Sequence, residues 1–188
     1  MPLDPPLDVG APEVREVLAP LRSGVSLAVY AAGNPFAVGA IIRVCHSFLV
    51  REVLLVGSET HYEKASMGMQ RLERVVRLES ADALFDHARG RPVWALEREA
   101  SRRSLYAVST FPPDVILLAG SERFGVPGEV LARCGDVLAI PLYGVNNSLP
   151  VTVAVGITLS WWAQLHYAAG SLHPGPPRSP ASAVSRPR

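Results

Sequence analysis

Short apolar runs alternate with longer stretches in which apolar residues recur every three or four positions, and the alternation continues from residue 25 to residue 167. Val25–Ala31, Val53–Val56, Arg74–Leu78, Val93–Leu96, Asp114–Ala119 and Val137–Ile140 are short, β-branched and bounded by glycine, proline or polar turns, so they read as buried strands. Phe36–Leu49 carries Val38, Ile41, Ile42, Cys45 and Phe48 at helical spacing. Tyr62–Gln70, Ala81–Arg89 and Val151–Tyr167 also read as helical, and Glu13–Leu21 forms a short helix ahead of the first strand. The opening is a β-α-β unit, and the whole pattern predicts an α/β fold with a mostly parallel sheet flanked by helices.

Two loops in the last third carry the candidate chemistry. Asp114–Ala119 ends in Gly120–Gly125, with two glycines around Glu122, and Val137–Ile140 ends at Pro141. A polar turn over residues 143–147 then leads to Ser148, which is expected to cap the last helix with Pro150 in its first turn. Glycine-bearing loops after buried strands are the layout of a ligand site at the carboxyl ends of a parallel sheet. Glu97–Ser104 reads as a polar loop. Its Arg98, Arg102 and Arg103 form the most basic short stretch, either a solvated surface or a contact for an RNA backbone.

Composition narrows this further. With 188 residues and 48% hydrophobic content, the chain holds a sizeable core in one domain without metal or disulfide staples. Cys45 and Cys134 have no CxxC or CxxH companion, so no metal site is drawn and both are expected as buried thiols in a reducing cytoplasm. A net charge of +1 argues against bulk attraction to nucleic acid; of the 18 basic residues only Lys64 is lysine. No apolar run reaches the roughly 20 residues that cross a bilayer, and the acidic start lacks the basic region of a signal peptide. A soluble, cytoplasmic protein is expected. Residues 1–24 form a short leading segment and 25–170 the domain. Residues 171–188 form a disordered tail rich in proline and serine, made basic by Arg178, Arg186 and Arg188.

NPFAVGAIIRVCHSF, AGSERFG and IPLYGVNNSLPVTVA, in that order, resemble the three motifs of the SpoU/TrmH family of RNA ribose 2'-O-methyltransferases in the SPOUT class. The resemblance covers roughly Val25–Ala168. It implies a SPOUT-type sheet with a C-terminal deep trefoil knot and a homodimer. It also implies S-adenosyl-L-methionine as cofactor and methyl transfer to a ribose 2'-hydroxyl of tRNA or rRNA. Matched position by position, Gly120, Ile140 and Leu149 fall on cofactor-contacting residues. Asn34 and Arg43 fall on the first-motif asparagine and arginine, Glu122 on the second-motif glutamate and Ser148 on the third-motif serine. In this frame Arg43 clamps a phosphate and stabilises developing alkoxide charge. Glu122 orients Asn34, Arg43 or a backbone amide, and Ser148 either participates or only caps the helix.

The sequence departs from the family pattern in two places. Pro150 stands where the family has asparagine, removing a side-chain amide and a backbone N–H, so Asn146 or Asn147 must supply any bond that asparagine makes. Pro150 also sustains a second expectation, a SPOUT-fold protein that binds RNA or S-adenosylmethionine without turnover. Arg123-Phe124 replaces residues that are often small. His46, one turn beyond Arg43, is read as a packed or hydrogen-bonded residue and not as a general base. A nucleotide-binding enzyme unrelated to methylation is disfavoured, because neither GxGxxG nor a Walker lysine is present.

Overall fold

The computed structural model describes residues 10–30, 34–57 and 61–167. Strands β1 (Ser26–Tyr30), β2 (Val53–Val56), β3 (Val75–Leu78), β4 (Val93–Leu96), β5 (Arg103–Ser104), β6 (Ile116–Ala119) and β7 (Asp136–Ala139) form one sheet in the order β3-β2-β1-β6-β4-β7-β5. Every pairing in it is parallel. The six expected strands are all present. β5 lies inside the stretch read as a polar loop: two residues cannot show a period, and its existence depends on pairing with Leu138 and Ala139 of β7. Ala31, Gly33, residues 1–9 and the expected disordered tail lie outside the described residues.

Two helical layers cover the sheet. On one face α2 (Pro35–Ser47) and α5 (Val151–His166) bury Val38, Ile41, Val155, Leu159 and Trp162 against Leu27, Val29 and Leu117. On the other, α3 (Ala81–Ala88) and α4 (Gly128–Leu131) place Leu84, Val130 and Leu131 against Ala28, Ile116 and Leu118. Successive strand residues thus alternate between the two cores, as a strand buried on both faces requires. α1 (Ala11–Leu18) runs into a 3₁₀ turn over Ala19–Leu21, where Pro20 offers no N–H to continue the α pattern. α4 was not foreseen, since one turn between two glycine-bearing loops has no readable period.

Tyr62–Gln70 is not the helix its composition predicts. It forms two 3₁₀ turns, Glu63–Ser66 and Met69–Arg71, separated by Met67 at φ 52° and Gly68 at φ 84°. Two consecutive left-handed residues cannot lie within a right-handed helix. Among the described residues no helix is long and apolar enough to cross a membrane.

The amino ends of the strands are held by two buried carboxylates. Glu73 accepts Arg22 through both of its oxygens (2.7 and 3.0 Å) and lies 2.8 Å from His46 Nδ1. Glu52 accepts Arg91 at 2.8 Å and lies 3.2 Å from His87 Nε2, while Arg91 also donates to Ser26 Oγ at 2.6 Å. Burial pushes both carboxyls up, but the hydrogen bonds, from His46 and Arg22 to Glu73 and from Arg91 and His87 to Glu52, outweigh it. Both therefore titrate below the ordinary glutamate value of 4.5. A carboxyl whose folded pKa is depressed adds stability above its unfolded value and loses it as pH falls through the folded one. The thermal midpoint is expected to hold from neutrality down to about pH 5 and to fall on further acidification. Glu73→Gln should cost about 3–5 kcal/mol at neutral pH, since it leaves Arg22 without its charged partner, and should flatten that acid decline. Calorimetry across pH showing the same acid decline in the variant would remove Glu73 from this account.

Candidate active site

The carboxyl ends of β4, β6 and β7 open onto a cavity of about 380 Å³. Its apolar walls are Leu96, Ala119, Leu138, Ile140, Leu142 and Leu149, and its polar lining includes Glu97, Glu99, Glu122, Asn146 and Ser148. This is the size and mixed character of a small-molecule site. Two of the segments that form it were legible as glycine-bearing loops. The third, Leu96–Glu99, follows β4 and joins them only because β4 lies between β6 and β7 in the sheet.

The loop after β6 closes on itself. Ser121 and Gly125 exchange backbone hydrogen bonds of 3.2 and 2.9 Å, forming a one-pair antiparallel bridge. A Cβ on Gly120 would lie 2.3 Å from the carbonyl carbon of Gly125, so the backbones meet where no side chain fits. Gly125 has φ 62°, and a Cβ there would lie 2.6 Å from Glu97 Oε2. Gly120 lines the cavity, as the motif implies, but its glycine is required first by the loop's own closure. Glu97 braces the same loop, accepting Arg98 N–H at 2.8 Å and Val126 N–H at 3.4 Å. The sequence shows Glu97 only as the start of a polar loop, because the bond to Val126 spans 29 residues.

Asn34 caps α2, its side-chain oxygen accepting Ala37 N–H at 3.1 Å, while its Nδ2 donates to Glu122 Oε2. The amide is thus held at both ends, and of the three orienting roles considered for Glu122 the structure realises the one toward Asn34. Ser148 does not cap α5. Its N–H and Oγ both donate to Asn146 Oδ1, each at 3.2 Å, and the capping position is Pro150, whose carbonyl accepts Val153 and Ala154 N–H. The expected placement of Pro150 in the first turn is corrected with it. A residue before proline is kept out of the α region, so the helix cannot begin at Leu149.

Arg43 stands apart from this group. It lies nine residues beyond Asn34, about 13 Å along a helix axis, is exposed, and does not line the cavity. His46 is engaged by Glu73 at the opposite end of the sheet, in agreement with its reading as a structural residue. The basic loop is largely structural as well. Arg102 donates to the carbonyls of Cys134 and Gly135 in the turn after α4, and Arg103 pairs with Asp136 at 2.6 Å above the Trp94 ring. Arg98 alone of the three lines the cavity. Cys45 and Cys134 are buried free thiols; burial raises both, the latter to about 11, so neither offers a thiolate at neutral pH. Among the described residues no cluster suited to a metal ion occurs.

A parallel α/β sheet with a ligand-sized cavity at the carboxyl ends of its strands defines the class, a small-molecule-binding α/β domain. Residues 24–160 match the SpoU rRNA Methylase family, and the chain belongs to that family. It is 32% identical over 142 residues to a tRNA (cytidine(34)-2'-O)-methyltransferase of Beijerinckia indica, covering 71% of this chain and 86% of that protein. It is 28% identical over 131 residues to a 23S rRNA (guanosine-2'-O-)-methyltransferase of Coxiella burnetii, covering 67% of this chain and 52% of the relative. The chain thus spans about half the length of the Coxiella protein. The AdoMet-bound rRNA methyltransferase from Sinorhizobium meliloti superposes with a TM-score of 0.67 at 26% identity, over 80% of this chain and 59% of that one.

Gly120→Ala is expected to break the Ser121–Gly125 bridge and to destabilise the protein by about 1–3 kcal/mol, the range for forcing atoms into a packed site. Chemical denaturation measures the loss, and faster hydrogen exchange at the Ser121 and Gly125 amides reports the bridge. Unchanged exchange at both would show that the loop tolerates the methyl group.

Proposed function

We propose that the protein is an S-adenosylmethionine-dependent RNA methyltransferase that modifies a ribose 2'-hydroxyl of tRNA or rRNA. The observation that carries this reading is the convergence of three segments distant in sequence: Asn34 bonded to Glu122 beside the cavity, Gly120 and Ile140 in its wall, and Ser148-Leu149 at its rim. The relatives named above act on rRNA or tRNA, and one solved relative carries AdoMet.

The cavity fits that cofactor by size, and also by charge, since Glu97, Glu99 and Glu122 outnumber Arg98 in the lining and favour a cationic ligand. When bound, S-adenosylmethionine supplies an electrophilic methyl group on a sulfonium. The apolar side chains Leu96, Ile140 and Leu149 exclude water around it. Glu122 fixes the Asn34 amide at the mouth, and Asn146 fixes Ser148, so polar groups are aligned for an incoming ribose before it arrives. Asn146 and Asn147 both line the cavity, which places side-chain amides near the position where Pro150 removes one. Arg43 serves to hold phosphate and stabilise charge developing on the attacking oxygen.

The distance of Arg43 from its own chain's cavity is met in a homodimer in which each copy lends this arginine to the other. The outward face of α5 supports that assembly. Val153 is exposed, a Cβ on Gly156 would meet nothing within 4 Å, and a groove of about 440 Å³ runs past Ile157, Ser160 and Trp161. A trefoil knot goes with the same reading. β7 lies between β4 and β5, although the chain from β4 through β5 to β6 precedes it. α4, which precedes β7, packs on one face of the sheet, and α5, which follows β7, packs on the other. The RNA substrate and the buried free thiols suit a cytoplasmic location.

Arg43→Ala is expected to lower methyl transfer from labelled S-adenosylmethionine by about 10²–10³-fold, the cost of losing one charge-stabilising donor, with cofactor affinity by calorimetry nearly unchanged. Equal transfer by variant and wild type would reject the assignment. Co-expression of Arg43→Ala with Ile140→Trp, which fills the cavity, should restore activity that neither has alone. Absence of any recovery in mixed dimers would place Arg43 in its own chain's site or outside catalysis. The reading as a whole is tested by mapping 2'-O-methyl positions in RNA from cells with and without the gene, where one position must disappear.

A further inference from the structure

Phe124 is 70% exposed, yet it is not on a loose loop. Its N–H donates to Ser121 Oγ at 3.1 Å, and the Ser121–Gly125 bridge closes the turn beneath it. Glu122 and Gly125 on either side both line the cavity, so the Phe124 Cα lies at most about 7 Å from the Cα of Glu122, whose carboxylate holds Asn34. The Arg123 guanidinium lies 5.2 Å from the ring centroid, and among the described residues it has no ion pair. Tyr143, next in sequence to Leu142 of the lining, is 95% exposed.

An aromatic ring exposed to water on a turn closed by its own backbone bonds, with a guanidinium against it, suits a partner that has a flat face and a negative charge. A nucleotide has both. We propose that Phe124, with Arg123, is the platform on which an unpaired base next to the methylated ribose stacks, and that this makes the enzyme selective for a target nucleotide in a single-stranded or looped-out segment. The inference rests on the methyltransferase reading above. A base inside a duplex has both faces covered by its neighbours and cannot lie on the ring, whereas an unstacked base in a loop or bulge offers a free face. Stacking of this kind tolerates any base, so the platform selects the conformation of the RNA and leaves its sequence open. Arg123 contributes through the phosphate beside that base, with Arg98 as a second cation at the mouth.

The test uses the full chain, tritiated S-adenosylmethionine and total RNA from cells lacking the gene. Phe124→Ala should lower kcat/KM roughly five- to a hundredfold, the loss expected for one base–aromatic stack, mainly through KM, and Phe124→Trp should retain activity. Cofactor affinity by calorimetry and mass by sedimentation should match wild type. Pairing the modified segment with a complementary oligonucleotide should abolish labelling. Equal kcat/KM for Phe124→Ala and wild type overturns the proposal, as does continued labelling of the paired segment. A change of assembly state in Phe124→Ala also overturns it, because the ring would then belong to a contact between protein chains. If wild type labels no RNA, the methyltransferase reading itself falls and the platform with it, which separates that failure from the others.

Discussion

Between Gly120 and Gly125 the backbone returns so closely on itself that a single methyl group has no room, and much of the site follows from that approach. The return turns Glu122 toward Asn34, leaves Gly120 in the cavity wall and lifts Phe124 into solvent. Glu97 secures it from the neighbouring strand by accepting the Val126 N–H just beyond the turn. A loop closed by its own backbone bonds needs no ligand to hold its shape, so polar groups at the mouth are ordered in advance. Pre-ordering of this kind lowers the cost of aligning two reactants.

The two ends of the sheet do different work. At the amino ends, Glu73 and Glu52 draw arginines and histidines into bidentate and multidentate contacts that hold β1, β2, β3 and β4 in place. At the carboxyl ends the carboxylates Glu97, Glu99 and Glu122 line an open cavity instead. The same residue type thus anchors the scaffold where it is buried against cations, and where it faces the cavity it orders the loop and the Asn34 amide while giving the lining its negative charge. His46 shows the consequence most directly. It is one turn from Arg43 on the same helix, yet Glu73 holds it as part of the scaffold.

The arginines divide in the same way. Arg102 and Arg103 are occupied by the carbonyls after α4 and by Asp136, which ties the 97–115 connection to β7. Arg43, Arg98 and Arg123 are not consumed by the fold in this manner. A count of basic residues in a loop therefore overstates what is free to meet a phosphate: of Arg98, Arg102 and Arg103, only Arg98 lines the cavity.

The alternation of apolar runs was enough to determine six of the seven strands, the α2 and α5 helices and the parallel α/β class, because burial on both faces imposes a pattern that local composition records. The segments carrying Asn34, Gly120, Ile140 and Ser148-Leu149 were legible for the same reason, as turns placed at strand ends. What only the tertiary structure decided depends on contacts between distant residues. β5 exists through β7, Glu97 acts on Val126, Asn34 is held by Glu122, and Arg102 and Arg103 are absorbed into the scaffold. The helix expected over Tyr62–Gln70 failed because two left-handed residues interrupt it, and the Ser148 cap failed because proline at 150 moves the helix start past it. A periodic pattern reports which face of an element is buried; it carries no information about which distant group will meet a given donor or acceptor once the chain has closed.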